Sequence, residues 1–555
     1  MTGTPLPPGD RPMTRPFDRV LVANRGEIAL RIIRACHELG MEAIAVYSDA
    51  DRRAAHVRAA DAAVRIGPAP APESYLRSEA IVEAALATGA QAVHPGYGFL
   101  AERASFAQAV EDTGIVFVGP PPAAIAALGD KLAARRVAAS AGVPVVPGTL
   151  EPAPVDRPDQ VAAILAEAER VGFPLLVKAV AGGGGRGMRR VEAAAELPAA
   201  LVSGSREAAS AFGDGSVYLE RVVFPARHIE VQLLGDAHGE VVALGERDCS
   251  IQRRHQKLIE EAPAPGLTEE QRRTLHAMAV RVARAAGLRN AATCEFLYDL
   301  DGHFWFLEVN TRLQVEHPVT ELVAGIDIVI EQLWLAAGAP LSERAIAASR
   351  AAATPTSHAI ELRLSAEDPA RAFAPTPGRV TRWVMPGGPG IRVDTALEVG
   401  ELVPPEYDPL IAKLIAHATD RPAAIARLRR ALDEIEIGGI QTTVPFDRFA
   451  ISHPTFAAGE LSTSWVGEYW DGTGERVRAV ELAELAAGLA AIEGARAGDG
   501  AGEMTGWNAP AQAAAGGLAA PSGTADGRAS GRPGRGERSA WRTVGRAEAV
   551  DRWPA

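Results

Sequence analysis

The alternation of strand-like and helix-like segments over residues 17 to 119 constrains the fold of this chain more than any other feature. The β-branched run FDRVLVA is followed by a turn at Asn24-Arg25-Gly26, a helical pattern EIALRIIRACHELG and a second strand MEAIAVYS. A second round contains the strand QAVH, the glycine-rich loop HPGYGFLAE and the strand IVFVG. Strands that alternate with helices predict an α/β domain with a Rossmann-like parallel sheet. GxGxxG does not follow the first strand, so the pattern does not favour a dinucleotide site.

The rest of the chain changes character several times, and its 555 residues suit roughly three or four domains. In order, we expect a small lobe over about 150–222, a strand-rich segment over 226–350, a β-rich unit over 358–470, an alanine-rich helix over 475–496 and a Gly/Ala/Ser/Pro-rich tail from 497.

Composition excludes several classes of function. A formal net charge of −12 argues against nucleic-acid binding, which needs a clustered basic surface. No uncharged apolar run reaches the roughly 18 residues of a membrane span, and the proline-rich N-terminus lacks the apolar core of a secretory signal. Cys36, Cys249 and Cys294 are scattered, so we expect neither a zinc site nor a disulfide framework, and a cytoplasmic location fits.

Lysine is rare, since four lysines stand among 57 lysine and arginine residues. The lysines are therefore candidates for sites that need a compact ammonium rather than a planar guanidinium. Lys178 ends the strand FPLLVK and precedes four glycines at 182–185. A point cation beside glycine backbone N–H groups is typical of phosphate binding. We expect a glycine flap that closes over a nucleotide, the alternative being a simple flexible linker.

A run of polar side chains follows the aromatic segment Phe304-Trp305-Phe306. If the strand continues, side chains alternate faces, and one face carries Glu308, Asn310, Arg312, Gln314 and Glu316. Such a mixture indicates a lined site rather than the solvated face of a sheet.

A carboxylate pair is expected beside this run. Glu295 is separated from Glu308 by a short turn at Asp301-Gly302, which predicts a hairpin that brings both carboxylates together. With Asn310 nearby, these hard oxygen ligands suit Mg²⁺.

Cations concentrate in a third motif, GERDCSIQRRHQKLIEEAP, at residues 245 to 263. Arg247, Arg253, Arg254, His255 and Lys257 predict an anion pocket, the alternative being a basic surface loop.

At these motifs the chain resembles the biotin carboxylase family of ATP-grasp enzymes over about residues 16 to 470. The strings that carry the resemblance are LVANRGEIALRIIRA, HPGYGFLAE, GDK, VKAVAGGGGRGM, ERDCSIQRRHQKLIEEAP, EVNTRLQVEHPVTE and HAIELRLSAEDP. The resemblance implies a Rossmann-like domain over 16–130, an ATP-grasp domain over 131–350 with its mobile lid lobe over about 150–222, and a β-rich C-terminal domain over 351–472. Composition predicts the segments outside the resemblance, which are a disordered leader over 1–15, a helical extension over 473–496 and a low-complexity, disordered tail over 497–555.

The resemblance also implies roles for individual residues. Lys131 and Lys178 would contact ATP phosphates under a flap that contains Gly183, Gly184 and Gly185. Glu220 would face the adenine and ribose region, and His228, Gln252 and His255 would line the same nucleotide site. Glu295, Glu308 and Asn310 would hold Mg²⁺, or Mn²⁺ in its place. Lys257, Arg312, Gln314 and the Val315 backbone would form the bicarbonate pocket, with Glu316 as general base and Arg363 stabilising the biotin enolate.

The implied reaction is the first half-reaction of a biotin-dependent acyl-CoA carboxylase, in which ATP and bicarbonate give carboxyphosphate and then carboxylated biotin. Carrier domains present biotin on a lysine next to methionine, and the sequence contains no Met-Lys pair and no lysine after Lys413. We therefore expect the biotin carrier protein and the carboxyltransferase to be separate chains, and this chain to form a homodimer as its relatives do.

Two other functions fit parts of the pattern. Another ATP-grasp ligase, such as a carbamoyl-phosphate-forming enzyme, also activates bicarbonate with ATP, but residues 310 to 317 and Arg363 favour biotin. A catalytically silent nucleotide-binding scaffold is disfavoured because Lys131, Glu316 and the rest of the set are intact.

Overall fold

The computed structural model describes residues 15–153, 161–180 and 188–499. It divides into two compact units, one holding the described residues up to 369 together with 373–470, and the other holding 370–372 and the described residues from 471 onward. Nearly all of the predicted leader and tail, and the predicted flap residues Gly183, Gly184 and Gly185, lie outside the described residues. In the part of the chain that is described, no helix is both long enough and apolar enough to span a bilayer.

The N-terminal region forms the predicted parallel sheet, with helices in its crossovers. Its strands are β1 (Arg19–Val22), β2 (Glu42–Ser48), β3 (Ala62–Gly67), β4 (Ala92–His94) and β5 (Val116–Phe117), and its helices are α1 (Gly26–Glu38), α2 (Ala55–Ala59), α3 (Ser78–Thr88), α4 (Ala104–Glu111), α5 (Pro122–Gly129) and α6 (Lys131–Ser140). The strand order is β3-β2-β1-β4-β5. Val20, Leu21 and Val22 are fully buried because helices cover both faces of the sheet. The turn after β1 therefore lies at the carboxyl edge of the sheet, where α/β folds place their ligands.

A small three-stranded sheet forms within the predicted lobe. Its elements are α7 (Val161–Val171), β6 (Leu175–Ala179), β7 (Arg189–Val191), α8 (Leu197–Phe212) and β8 (Val217–Arg221). The antiparallel order β7-β6-β8 places Lys178 of β6 opposite Tyr218 of β8. The lysine therefore starts from a rigid strand rather than from a linker.

An eight-stranded antiparallel sheet dominates the rest of the larger unit, in the order β13-β12-β9-β10-β11-β14-β21-β19. Its strands are β9 (Ala226–Gly235), β10 (Val241–Arg253), β11 (Gln256–Ala262), β12 (Asn290–Asp299), β13 (Phe304–Asn310), β14 (His358–Ser365), β19 (Ile391–Thr395) and β21 (Leu410–Ala418). The neighbouring helices are α9 (Glu269–Ala285), α10 (His317–Ala324), α11 (Ile328–Ala336) and α12 (Glu343–Ala351). Because β11 pairs with β14, one sheet joins the segment before residue 350 to the C-terminal strands.

The C-terminal region completes the larger unit with short strands and helices. These are β15 (Glu367–Asp368), β16 (Ala374–Pro375), β17 (Gly378–Arg379), β18 (Arg382–Val384), β20 (Leu402–Val403), β22 (Glu436–Gly438), α13 (Arg421–Glu434), α14 (Val444–Ser452), α15 (Pro454–Ala458) and α16 (Trp465–Tyr469). A core that includes Leu362, Leu414, Leu428 and Phe446 packs α13 and α14 onto the large sheet. In the second unit, helix α17 (Thr473–Asp499) forms where the sequence predicts a helix.

Candidate active site

A cavity of about 970 Å³ brings the predicted site residues together, and this volume is within the range of small-molecule sites. The predicted residues that line it are Lys131, Lys178, Glu220, His228, Gln252, His255, Lys257, Glu295, Glu308, Asn310, Arg312, Gln314, Val315 and Arg363. Glu316 does not line the cavity, since it is completely buried just behind this wall. Residues scattered over more than 230 positions of the sequence thus converge on one space.

The lobe contributes a buried cluster of charges to the cavity wall. The Lys178 Nζ donates to Glu220 Oε1 at 2.7 Å, and Arg135 Nη1 donates to Glu220 Oε2 at 2.8 Å. Burial acts to raise the pKa of Glu220, but Lys178 and Arg135 outweigh burial and hold it below its ordinary value. The resemblance assigns Glu220 to the adenine and ribose region. In the structure both of its oxygens accept from cations of the protein, so this carboxylate orients the Lys178 ammonium.

Lys131 supplies a second cation at the first position of α6. The Asp130 side chain caps that helix by accepting from the Ala133 N–H at 2.6 Å. Burial lowers the pKa of Lys131, and Lys178 acts in the same direction, while Glu308 and Glu220 oppose them. A lowered pKa shows that protein carboxylates do not fully balance this ammonium, which suits it to receive phosphate oxygens.

The β12–β13 hairpin brings two carboxylates together, as the sequence predicts. Glu295 pairs directly with Glu308, but Phe296 pairs with Phe306, so Leu307 is an extra residue without a counterpart on β12. Phe306 is fully buried in the core, whereas Leu307 and Glu308 line the cavity. This β-bulge reverses the alternation of side chains. Without it, Glu308 would point to the same side as Phe306, into the core.

The carboxylate pair fits a divalent metal. Burial lifts the pKa of Glu308 and the neighbouring Glu295 carboxylate raises it further, beyond what Lys131 and Lys178 offset. Burial acts to raise the pKa of Glu295 as well, but Lys257 and His228 outweigh burial and hold it below its ordinary value. The protein's own cations thus balance Glu295 better than Glu308, and a divalent cation would stabilise the charge of Glu308. Asn310 lies beside them. Its amide nitrogen donates to Glu295 Oε1 at 2.8 Å, and its amide oxygen, which is also a hard ligand, accepts from Arg312 at 3.2 Å.

The predicted strand through residue 316 is wrong, because β13 ends at Asn310 and an irregular loop follows until α10 begins at His317. Arg312, Gln314 and Glu316 therefore do not lie on one face of a strand. The loop nevertheless folds back on the hairpin, since Gln314 donates to Glu295 Oε1 at 3.3 Å and Arg312 donates to the Gln314 amide oxygen at 2.9 Å. Side-chain hydrogen bonds, rather than strand periodicity, gather these groups.

Lys257 is the centre of the polar network. Its Nζ donates to Glu295 Oε1 at 2.9 Å, to Glu316 Oε1 at 2.8 Å and to Glu230. Burial acts to lower the pKa of Lys257, but Cys249 and the surrounding carboxylates raise it well above its ordinary value. One ammonium thus holds three carboxylates in place, and it remains charged at any physiological pH.

Glu316 receives a second cation from the C-terminal region. Arg363 Nη2 donates to Glu316 Oε2 at 2.8 Å, and Arg363 Nε donates to Glu260 Oε1 at 2.5 Å. Burial and Glu230 act to raise the pKa of Glu316, yet Lys257 and Arg363 outweigh them and keep it below its ordinary value. Two cations therefore stabilise Glu316 in its carboxylate form. The pairing of β11 with β14 places Arg363 within reach of it.

Two residues of the predicted basic motif lie elsewhere. Arg247 is completely buried and donates to Glu230 and Gln232, while Arg253 stacks on the Phe373 ring at 4.8 Å. Neither lines the cavity, so the predicted anion pocket is wrong for these two. Arg254, His255 and Lys257 of the same motif do line it.

Sequence reasoning missed the residues that hold the predicted ones. Glu102 accepts from Arg312 Nε at 2.8 Å. Arg135 forms an ion pair with Glu220, and Glu260 forms one with Arg363. Glu102 lies in the motif HPGYGFLAE and Glu260 in the cationic motif, so both belong to motifs that the sequence analysis identified. Their partners lie roughly 100 to 200 positions away in the sequence, and a single sequence carries no signal for such pairs.

The cavity also offers an apolar side. Leu176, Met188, Leu297 and Leu307 line it together with residues 222–224. An apolar wall beside phosphate-binding lysines suits a nucleotide base.

Comparison with known proteins agrees with this architecture. The biotin carboxylase N-terminal domain family matches residues 16–125, and the biotin carboxylase C-terminal domain family matches 361–468. Between them, the ATP-binding domain family of the carbamoyl-phosphate synthase L chain matches 130–344. The two outer matches are thus to domains described for biotin carboxylase, and the central match is to an ATP-binding domain.

Curated relatives match over most of the chain. The biotin carboxylase of Allochromatium vinosum is 49% identical over 447 residues, which are 80% of this chain and 97% of that protein. The biotin-dependent acyl-coenzyme A carboxylase alpha3 subunit of Mycobacterium leprae is 46% identical over 459 residues, covering 82% of this chain and 75% of that protein.

Solved structures share the fold. The β-γ-ATP complex of Campylobacter jejuni biotin carboxylase matches with a TM-score of 0.77 and 43% identity, over 82% of this chain and 99% of that one. The biotin carboxylase domain dimer of Hydrogenobacter thermophilus 2-oxoglutarate carboxylase, with MgADP and bicarbonate, matches with a TM-score of 0.76 and 44% identity, over 82% and 98%. The predicted α/β architecture is confirmed. By its fold and by its identity to these relatives, this chain belongs to the biotin carboxylase family of ATP-dependent ligases.

Proposed function

We propose that this chain carboxylates biotin with ATP and bicarbonate, in the cavity lined by Lys131, Lys178, Lys257 and Arg363. The observation that carries the proposal is the pairing of Glu316 with both Lys257 and Arg363. This pairing puts an ionised carboxylate between the cations expected to hold bicarbonate and the cation expected to hold biotin. A carbamoyl-phosphate-forming ligase has no use for a biotin-binding arginine from a third domain.

The first step forms carboxyphosphate. Glu316 accepts the proton of bicarbonate, and the resulting carbonate oxygen attacks the γ-phosphorus of ATP, breaking its bond to the ADP oxygen. Lys131 and Lys178 offset charge on the phosphates, and Lys257 and Arg312 offset the charge of bicarbonate. Glu295, Glu308 and Asn310 would hold Mg²⁺, or Mn²⁺, which supplies Lewis-acid stabilisation of phosphate charge when bound.

The second step transfers the carboxyl group. Carboxyphosphate breaks into CO2 and phosphate, and phosphate takes the N1′ proton of biotin. Arg363 stabilises the resulting enolate, which attacks CO2 to give carboxybiotin. Exclusion of water protects carboxyphosphate from hydrolysis, and this is the role we propose for the flap with Gly183, Gly184 and Gly185.

We further propose that biotin arrives on a carrier protein and leaves for a carboxyltransferase, both on separate chains. These 555 residues contain no Met-Lys pair that a carrier site needs. A relative is named as an alpha subunit, and another relative's structure is described as a dimer, which supports a multisubunit assembly built on a homodimer. Free, buried cysteines at Cys36, Cys249 and Cys294 support a cytoplasmic location.

Release of ADP by the purified chain tests the function. The proposal requires hydrolysis of ATP that depends on both bicarbonate and free biotin, with ¹⁴C from bicarbonate appearing in carboxybiotin. Stimulation by ammonia with indifference to biotin would instead identify a carbamoyl-phosphate-forming ligase. ATP binding without turnover under any of these conditions would identify a silent scaffold.

A further inference from the structure

Lys413 is the one lysine of the four for which the proposed mechanism has no role. It lies on β21, and its side chain has no exposed surface. A buried ammonium is strongly destabilising unless charged and polar partners surround it. Its partners therefore show what the ammonium holds in place.

The ammonium contacts the bicarbonate side of the cavity directly. Lys413 Nζ donates to the carbonyl oxygen of Val315 at 3.0 Å. Val315 lies in the irregular loop between β13 and α10, immediately before Glu316, and it lines the cavity. The carbonyls of such a loop lack the regular partners of a strand, so a fixed donor decides where this peptide unit lies.

The same ammonium also contacts the N-terminal domain. Its Nζ lies 3.3 Å from Glu27 Oε2, on the first turn of α1, and 5.9 Å from the centre of the Tyr97 ring. The Tyr97 hydroxyl donates to the other Glu27 oxygen, and both residues line the cavity. Lys413 thus joins two walls of the cavity that are about 300 positions apart in the sequence.

Neighbouring strands hold Lys413 itself in place. It is directly opposite Arg363 on β14 and Asp394 on β19, so all three side chains lie on one face of the large sheet. Asp394 Oδ2 is 3.8 Å from Nζ, and Arg392 donates to both oxygens of Asp394. The ammonium therefore extends from a strand that pairs with a neighbour on each side, β14 and β19.

We propose that Lys413 is a positioning residue for carboxylation: its ammonium sets the Val315 peptide unit, and through it Glu316, against the wall formed by Glu27 and Tyr97. The inference rests on the proposed function, because that function assigns the loop of residues 312–316 to bicarbonate. Lys413 touches no substrate and acts through the loop. It also explains why lysine persists here in a chain that otherwise uses arginine, since one carbonyl oxygen and two carboxylates surround one compact ammonium within 4 Å.

Kinetics of Lys413→Met in the full chain test the proposal. Methionine keeps the length of the side chain and removes the charge. We expect the KM for bicarbonate to rise roughly tenfold or more and kcat to fall, because a loop displaced by about 1 Å misplaces both the anion and the base. The Kd of ATP without bicarbonate should not change, since Lys131 and Lys178 lie elsewhere in the cavity.

The matched control is Arg272→Met, which breaks the buried ion pair with Glu246 outside the cavity. It should lower Tm and leave the bicarbonate KM unchanged.

Glu27→Gln provides a second test if Lys413→Met does not fold. The amide can still accept from Tyr97 but no longer attracts the ammonium. The KM of Glu27→Gln for bicarbonate should rise. In the double variant Glu27→Gln/Lys413→Met, the fold-increase in this KM should be smaller than the product of the two single fold-increases, because the two residues interact directly. An unchanged bicarbonate KM in either single variant overturns the proposal. If the wild-type chain shows no ATP hydrolysis dependent on bicarbonate and biotin, the failure belongs to the proposed function.

Discussion

The ammonium of Lys257 lies 2.8 Å from one oxygen of Glu316, and the guanidinium of Arg363 lies 2.8 Å from the other. Lys257 comes from β11 and Arg363 from β14, which are neighbouring strands of one sheet. Glu316 therefore depends on two separate parts of the chain for its charge and its orientation. This arrangement links the proposed bicarbonate step to the proposed biotin step through one carboxylate.

Glu316→Gln should lower the rate of biotin carboxylation by about 10²–10⁴-fold, because an amide cannot accept the bicarbonate proton. ATP affinity should persist, since Lys131 and Lys178 are untouched. The rate is measured as ¹⁴C fixed from bicarbonate, and affinity by calorimetry. Glu270→Gln, an exposed position on α9, serves as the control. Wild-type turnover in Glu316→Gln would rule out its role as the base.

Glu308→Gln should raise the Mg²⁺ concentration needed for half-maximal activity by about tenfold or more, because one hard anionic ligand is lost. The measurement is a Mg²⁺ titration at a fixed concentration of ATP, and excess chelator should abolish activity in both proteins. Asp301→Asn, on the exposed turn of the same hairpin, is the control. An identical Mg²⁺ requirement in wild type and Glu308→Gln would contradict the assigned metal site.

Glu102→Gln should raise the KM for bicarbonate about threefold to tenfold, since Arg312 loses a charged acceptor at 2.8 Å. The effect is modest because Glu102 is partly exposed and Arg312 keeps its bonds to Asn310 and Gln314. Initial rates over a range of bicarbonate concentrations give the value. Glu111→Gln, exposed at the end of α4, should behave as wild type.

The rate of biotin carboxylation should depend on pH through Glu260. Burial raises the pKa of Glu260 to about 7, and Arg363 only partly offsets burial. As pH rises through 7, Glu260 becomes ionised and holds the Arg363 guanidinium more firmly, so kcat with free biotin should increase. Below that pH the Glu260 carboxyl is protonated, and its ion pair with Arg363 weakens. In Glu260→Gln the inflection near pH 7 should disappear from the pH profile of kcat. A profile with the same inflection would assign it to another group.

Much of the site could be predicted because its motifs are local. Lys178 at the end of a strand, Glu295 and Glu308 across a hairpin, and the parallel sheet all follow from short-range pattern and turn chemistry. The prediction that side chains alternate faces failed beyond Asn310. There the described loop pairs with no neighbouring strand, and hydrogen bonds to the hairpin hold it instead.

The sequence by itself determined which chemical groups are present: scarce lysines, paired carboxylates and a family signature that implies ATP and bicarbonate. Only the tertiary structure decided where those groups point. The bulge at Leu307 turns Glu308 from the core to the cavity, and the pairing of β11 with β14 brings Arg363 to Glu316. The burial of Glu316 and the contact of Lys413 with Val315 were decided in the same way. The physical reason is that register and long-range ion pairs depend on contacts between segments far apart in the chain, which no local pattern encodes.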